Sequence, residues 1–211
     1  TGSQYLVQLE EGDMLMCRIR GNLRLKDFEA TNPVAVGDRV EVDWTEGDDV
    51  GQITAVSERT NYIIRKSVKL SRQVQVLAAN VDRAFVIATP VMPKTSLGFI
   101  DRFLATAEAY AIPAGVIWNK SDLYDEEVWE WVDEISELYR AIGYHVFAVS
   151  SVNGEGLDAL RQELSGKVSL FSGHSGVGKS SLINSLIPGL RLKTASLSVQ
   201  HMKGTRSEEH T

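Results

Sequence analysis

One stretch of this chain, Gly173-His174-Ser175-Gly176-Val177-Gly178-Lys179-Ser180-Ser181, constrains the fold more than any other. A glycine, four residues and then Gly-Lys-Ser make a turn that aims several backbone N–H groups at one point, where phosphate oxygens can sit. The flanks supply the mechanics such a loop needs. Val168 to Phe171 is a short apolar run that reads as a buried parallel strand. After the loop, Leu182, Ile183, Leu186 and Ile187 recur at helical spacing until Pro188-Gly189 ends the pattern. A strand, a glycine-rich turn and a helix start form a phosphate-binding loop. Lys179 supplies a cation for the outer phosphates, and Ser180 places a hydroxyl for Mg²⁺.

A second motif, Asn119-Lys120-Ser121-Asp122, follows the buried-strand pattern Ala114 to Trp118. It therefore falls at a strand's carboxyl end, where open α/β sheets bind ligands. A carboxylate at Asp122 accepts two hydrogen bonds from guanine, from N1–H and from the exocyclic amine. Adenine has neither donor, so the carboxylate would be left unpaired and the base rejected. A third strand pattern, Tyr144 to Val149, runs into Ser150-Ser151, a turn placed to offer backbone N–H groups to the guanine carbonyl. The base-reading motif precedes the phosphate loop by about fifty residues, the reverse of the usual order in nucleotide switches. That order predicts a circularly permuted arrangement.

The rest of the chain divides by pattern. Over residues 1–70, Leu6, Met14, Met16, Ile19, Val40, Val42, Ile53 and Val56 sit in short runs between turn signals. Strands at this spacing without helical period predict a small antiparallel β-barrel. Residues 71–80 read as a linker. Residues 81–211 alternate strand and helix, predicting a permuted P-loop domain with a mostly parallel sheet and flanking helices. Leu97, Ile100, Leu104, Ala107 and Ala111 mark one helix face, and Val128, Trp131, Ile135, Leu138 and Ile142 another. Trp131 reads as core. The single cysteine, Cys17, excludes an intrachain disulfide or cysteine-rich zinc site and reads as a buried small hydrophobe. No run approaches a membrane span, and the expected location is the cytoplasm, as a monomer.

The net charge of −6 argues against non-specific affinity for nucleic acid, and residues 1–75 hold 10 basic against 12 acidic groups. Two local clusters run the other way. Arg18, Arg20, Arg24 and Lys26 gather in the barrel, and Arg59, Arg65, Lys66, Lys69 and Arg72 face only Glu58. Phosphate contacts need clusters of this kind, although a solvated face would look the same.

Barrel, base reader and phosphate loop together resemble the bacterial ribosome small subunit-dependent GTPases of RsgA type. Val81 to Ala84 and Phe99 to Leu104 are similar to that family's segments leading into its GTPase domain, and Gly173 to Ser181 is very close to its phosphate loop. The resemblance implies an N-terminal OB-like five-stranded β-barrel that contacts 16S ribosomal RNA and a GTPase switched on by the 30S subunit late in its maturation. It also implies GTP or GDP with Mg²⁺ as ligands, and a zinc-binding C-terminal domain whose site is absent from this chain. His201 to Thr205 resembles the lead-in to switch I, so either Thr205 or Thr211 is the expected second Mg²⁺ ligand. No Asp-x-x-Gly follows Ser180, and no residue is assignable to orienting the attacking water. The expectation is nucleotide binding with little hydrolysis by this stretch alone. Two rivals stand beside a GTPase: a nucleotide-gated rRNA-binding module that hydrolyses nothing, and a P-loop ATPase or kinase in which Asn119 to Asp122 is accidental.

Overall fold

The structure, a computed structural model, describes residues 4–21, 33–45, 47–66, 74–187, 189 and 192. The chain divides into two compact units, Thr1–Val81 and Asp82–Thr211.

The first unit is all β among its described residues. Strands β1 (Gln4–Gln8), β2 (Met14–Ile19), β3 (Val40–Asp43) and β4 (Gly51–Val56) form one sheet in the order β1-β2-β4-β3. Strands β5 (Tyr62–Lys66) and β6 (Val74–Ala79) pair antiparallel in a separate ladder. Most of the stretch expected to be linker, residues 71–80, is thus strand, because β6 finds its partner in β5 and a bridge from Val36 to Ala78. The core is Leu15, Cys17, Val34 and Ile53, with Tyr5, Val7, Leu9, Ile19, Val40, Val42 and Val56 packed around it.

Alternation along β2 decides which of its apolar residues are core. Met14 and Met16 point outward, while Leu15 and Cys17 point in. Leu6, opposite Met16 on β1, is also exposed. Side chains alternate faces along a strand, so an unbroken apolar run such as Met14-Leu15-Met16-Cys17 gives no parity by itself. The sheet's partners decide it, and Cys17 is fully buried as expected.

Asp38 is engaged twice in this unit. Its Oδ2 accepts from the Ala35 N–H at 2.8 Å, and both carboxylate oxygens receive the Arg59 guanidinium at 2.6 and 2.7 Å. The Asp38 side chain is inaccessible and that of Arg59 nearly so. Arg59, expected among the phosphate-facing cations, instead neutralises a buried carboxylate, which raises its own pKa.

The second unit is a three-layer α/β/α sandwich. Parallel strands β7 (Arg83–Ala88), β8 (Ala114–Asn119), β9 (His145–Val149) and β10 (Ser169–Ser172) lie in the order β10-β7-β8-β9. Helices α1 (Leu97–Ala109) and α2 (Glu126–Ala141) cover one face. Trp118 donates its indole N–H to Ser136 on α2 at 3.1 Å, and Tyr139 on α2 donates to Asp101 on α1 at 2.8 Å. Helices α3 (Leu157–Leu164) and α4 (Lys179–Leu186) cover the other, closing over Phe85, Ile87, Ile117 and Val149 with Leu157, Leu160, Leu182 and Leu186. The alternating residues of β7 and β8 serve both layers, so the strands read as continuous apolar runs.

The expected helix faces need adjustment. Helix α1 ends before Ala111, which adopts a left-handed conformation. On α2 the buried positions are Val132, Ser136 and Tyr139, with Val128, Trp131 and Ile135 partly buried, while Leu138 and Ile142 are exposed. A buried serine and tyrosine rotate the real stripe away from a purely apolar tally. Trp131 does pack against Trp118, ring centroids 5.5 Å apart. Asp125 caps the acidic start of α2, accepting from the Val128 N–H at 2.9 Å.

Candidate nucleotide-binding site

The sheet order places a switch point between β7 and β10. The chain leaves β7 toward α1 on one face and leaves β10 toward α4 on the other, which opens a crevice beyond the strands' carboxyl ends. The loop Gly173–Gly178 lies there, between β10 and α4, as the sequence predicts.

Two glycines let this loop pass close to its neighbours. A Cβ on Gly173 would stand 2.4 Å from the Ile87 carbonyl oxygen of β7. Gly178 caps α4 at φ +89°, and a Cβ there would stand 2.5 Å from Asn119 Nδ2. Side chains at these positions would fill the cradle. Lys179 Nζ donates to the carbonyls of Gly173 at 2.9 Å and His174 at 2.7 Å, bending its cation over the loop. Val177 is buried in the core, whereas His174 and Ser175 are exposed and Gly176, Ser180 and Ser181 partly so. The His174 ring lies 3.9 Å from that of Phe99 on α1.

The Asn119–Asp122 segment meets this loop directly. Asn119 ends β8 fully buried, and its Nδ2 donates to the Val177 carbonyl at 2.8 Å across 58 residues of sequence. Among the described residues its Oδ1 is buried with no hydrogen-bond partner. Lys120, in the left-handed region at φ +69°, sends Nζ to the carbonyls of Gly176 at 2.8 Å and Met92 at 2.7 Å. Burial lowers the Lys120 pKa, and the charge of Asp122 partly offsets this. Ser121 to Leu123 form one 3-10 turn that leaves Asp122 exposed. Ser150, fully buried, donates its hydroxyl to Asp122 Oδ1 at 2.5 Å and accepts from the Val152 and Asn153 N–H groups at 3.1 and 3.3 Å. One hydroxyl thus shapes its own turn and fixes the carboxylate beside it. Ser151 accepts a 3.3 Å bond from Ser185 of α4 through its carbonyl.

Three participants escaped the sequence reading. The Thr89–Ser96 loop contributes the Met92 carbonyl and is held by Thr89 donating to Pro93 at 2.5 Å. Glu155 accepts from the Ser121 hydroxyl at 2.9 Å. Tyr124 donates to the Asn119 carbonyl at 2.6 Å. None has a motif, and only the turn-rich run Thr89-Pro90-Val91-Met92-Pro93 signals a loop.

Of the RNA-contact candidates, Arg18 and Arg20 are exposed on the first unit, beside a shallow depression lined by Val50, Gly51 and Gln52. Arg65 and Lys66 lie on β5. The side chains of Arg65 and Lys66, and all of Arg24, Lys26, Lys69, Arg72, Thr205 and Thr211, lie outside the described residues. Among the described residues no cluster of three or more His, Cys, Asp or Glu is placed to hold a metal, and no helix is long and apolar enough to cross a membrane.

The fold and the loops at its switch point define a circularly permuted P-loop G domain behind an N-terminal β unit. Known proteins agree. The RsgA GTPase family profile matches residues 56–211, and that of the RsgA N-terminal domain matches residues 1–53. The chain belongs to the RsgA GTPase family. It is 51% identical over 204 residues to the small ribosomal subunit biogenesis GTPase RsgA of Bacteroides fragilis, covering 97% of this chain and 66% of that protein. Its counterpart in Flavobacterium johnsoniae is 46% identical over 206 residues, covering 97% and 63%. Among solved structures, YjeQ from Thermotoga maritima matches with TM-score 0.75 and 36% identity, covering 91% of this chain and 64% of that one. YloQ, described as a circularly permuted GTPase, matches with TM-score 0.68 and 31% identity, covering 86% and 59%. The chain thus spans about two thirds or less of the length of these relatives.

Proposed function

We propose that this chain binds GTP and GDP in the crevice beyond β7 and β10, and that the protein it belongs to hydrolyses GTP while engaged with the small ribosomal subunit. The observation that carries the reading is the pair of bonds from Asn119 to Val177 and from Lys120 to Gly176. They bring Asn119–Asp122 and Gly173–Ser181, far apart in sequence, into direct contact, which supports reading the two as base reader and phosphate loop of one site. An ATPase with an accidental Asn119–Asp122 segment has no reason for those contacts.

The residues have divided roles. Asp122, oriented by Ser150, accepts the two guanine donors, and the Lys120 stem borders the base. The N–H groups of Ser150 and Ser151 serve the guanine carbonyl. The N–H groups of the Gly173–Ser181 loop, with Lys179, take the phosphates. The glycine-lined cradle fits a phosphate with its metal: the Ser180 hydroxyl, in the first turn of α4, is the Mg²⁺ ligand this chain offers, with Thr205 or Thr211 the second. Bound Mg²⁺ neutralises charge on the outer phosphates. Exposed Arg18 and Arg20 are candidates to meet 16S rRNA, and by charge and sequence position Arg24, Lys26, Arg65, Lys66, Lys69 and Arg72 join them as candidates; the protein acts in the cytoplasm as a monomer.

The test is calorimetric titration of the chain with GDP, GTP and ATP, with and without Mg²⁺, beside Lys179→Ala and Ser180→Ala. Tight guanine binding, loss of both nucleotides in Lys179→Ala and a Mg²⁺-dependent defect in Ser180→Ala are expected. Equal affinity for ATP refutes the guanine assignment. Phosphate release by the longer protein, with and without 30S subunits, tests the hydrolytic part.

A further inference from the structure

Tyr124 lies just outside the base-reading motif, and its phenol turns back into it. The hydroxyl donates to the Asn119 carbonyl at 2.6 Å, closing a ring of chain that contains Lys120, Ser121 and Asp122. That segment needs closure. Lys120 holds a left-handed conformation that a residue with a Cβ adopts at a cost, and only one 3-10 turn follows it. The Tyr124 ring is itself fixed, edge-on to Trp129 of α2 with centroids 5.2 Å apart. Burial, reinforced by the negative charge of Asp122, pushes the phenol's pKa well above its ordinary value, so the hydroxyl keeps its proton and remains a donor at every working pH.

We propose that Tyr124 is a positioning residue for base selection, its hydroxyl tying the Asp122 turn to the end of β8 so that the carboxylate meets both guanine donors at once. The Asp122 carboxylate is held by Ser150, and its turn by the Ser121 hydroxyl on Glu155 and by backbone bonds from Leu123 N–H to Lys120 and Tyr124 N–H to Ser121, but none of these ties the turn to the end of β8. Removing the phenolic hydrogen bond takes away that tie and lets the turn tilt. A tilted carboxylate still reaches one donor but not two. The proposal rests on the guanine reading given above.

Inosine nucleotides separate positioning from general damage, because hypoxanthine keeps N1–H and lacks the exocyclic amine. The experiment titrates GDP and IDP into the wild-type chain, Tyr124→Phe and Tyr124→Leu, with ADP as reference. Phe keeps the ring against Trp129 and removes only the donor. Tyr124→Phe is expected to weaken GDP by about tenfold and IDP by about threefold or less, so that the GDP-to-IDP preference narrows. Tyr124→Leu should narrow it at least as far. A proportional loss for both nucleotides, with the preference unchanged, would mean a merely structural role and overturns the proposal. So does a narrowed preference in Leu but not in Phe, since ring packing would then be responsible. If the wild-type chain does not prefer GDP to ADP, the guanine reading fails first and takes this inference with it.

Discussion

Gly178 couples the two halves of the site, and replacing it with alanine tests that coupling. Its backbone sits at φ +89°, a conformation in which a Cβ costs about 1–2 kcal/mol. The added Cβ would also lie 2.5 Å from Asn119 Nδ2, which is buried and bonded to the Val177 carbonyl at 2.8 Å. Asn119 has to move, and the buried bond it abandons costs about 1–3 kcal/mol more. Gly143 supplies the control. It follows α2 at φ +98° with open space where a Cβ would go, and it ends the helix through bonds from Gly143 N–H to Arg140 and from Tyr144 N–H to Tyr139. Gly143→Ala carries the first cost alone. Urea unfolding should therefore place Gly178→Ala roughly 1–3 kcal/mol below Gly143→Ala. Because the extra loss falls on the loops that hold nucleotide, GDP should bind about ten- to hundredfold more weakly to Gly178→Ala and unchanged to Gly143→Ala. Equal unfolding free energies, with GDP affinities within about twofold, would show that Asn119 moves freely and that the coupling is illusory.

Asp122→Asn should weaken GDP binding and strengthen binding of xanthosine diphosphate, whose second carbonyl replaces the amine; matching losses for both would remove Asp122 from base recognition. Asp38→Ala leaves the nearly buried Arg59 guanidinium without its carboxylate, so the first unit should lose about 3–5 kcal/mol of stability, measured on its own unfolding transition. A loss below about 1 kcal/mol would place the pair in solvent. Glu163 concerns pH. Burial favours its neutral form, but the hydrogen bond from Lys167 and the charges of Arg83, His145 and Lys167 outweigh it and hold its pKa below the ordinary 4.5. Its stabilising contribution is complete above that value and is lost as pH falls through the depressed folded one. Glu163→Gln should flatten the acid limb of the stability profile there, and an unchanged slope would contradict the assignment.

The second unit was far more legible in sequence than the first. Strands β7 and β8 are buried on both faces, so they appear as unbroken apolar runs, and each expected strand matches the observed one to within a residue or two. The loops at the strands' carboxyl ends were placed by sequence for a different reason: Asn119–Asp122 and Gly173–Ser181 carry particular residue types at fixed spacing, and the structure brings them into contact. What sequence missed was set by tertiary partners. Leu138 and Ile142 gave way on α2 to Ser136, which meets Trp118, and Tyr139, which meets Asp101. The apolar run Met14-Leu15-Met16-Cys17 did not reveal which pair faces inward, since one residue of register exchanges the two faces of a strand. Tyr124 and Glu155 act through contacts that close only in the folded chain.

The position of β7 has a consequence for how this unit comes into being. It is the first strand of the sheet in chain order and lies inside it, between β8 and β10. Its pairing with β8 closes early, but its other edge waits for β10, where the Val168 N–H meets Asp82 across 86 residues. A chain emerging from its amino end therefore builds β7, β8 and β9 with their helices first and carries an unpaired strand edge until the phosphate loop arrives. Such a late, long-range closure belongs with slow folding. The Asn119–Asp122 and Gly173–Ser181 segments meet only when β10 docks, so under the reading proposed above a bound guanine nucleotide would stabilise the docked strand by mass action at the step most exposed to misassembly.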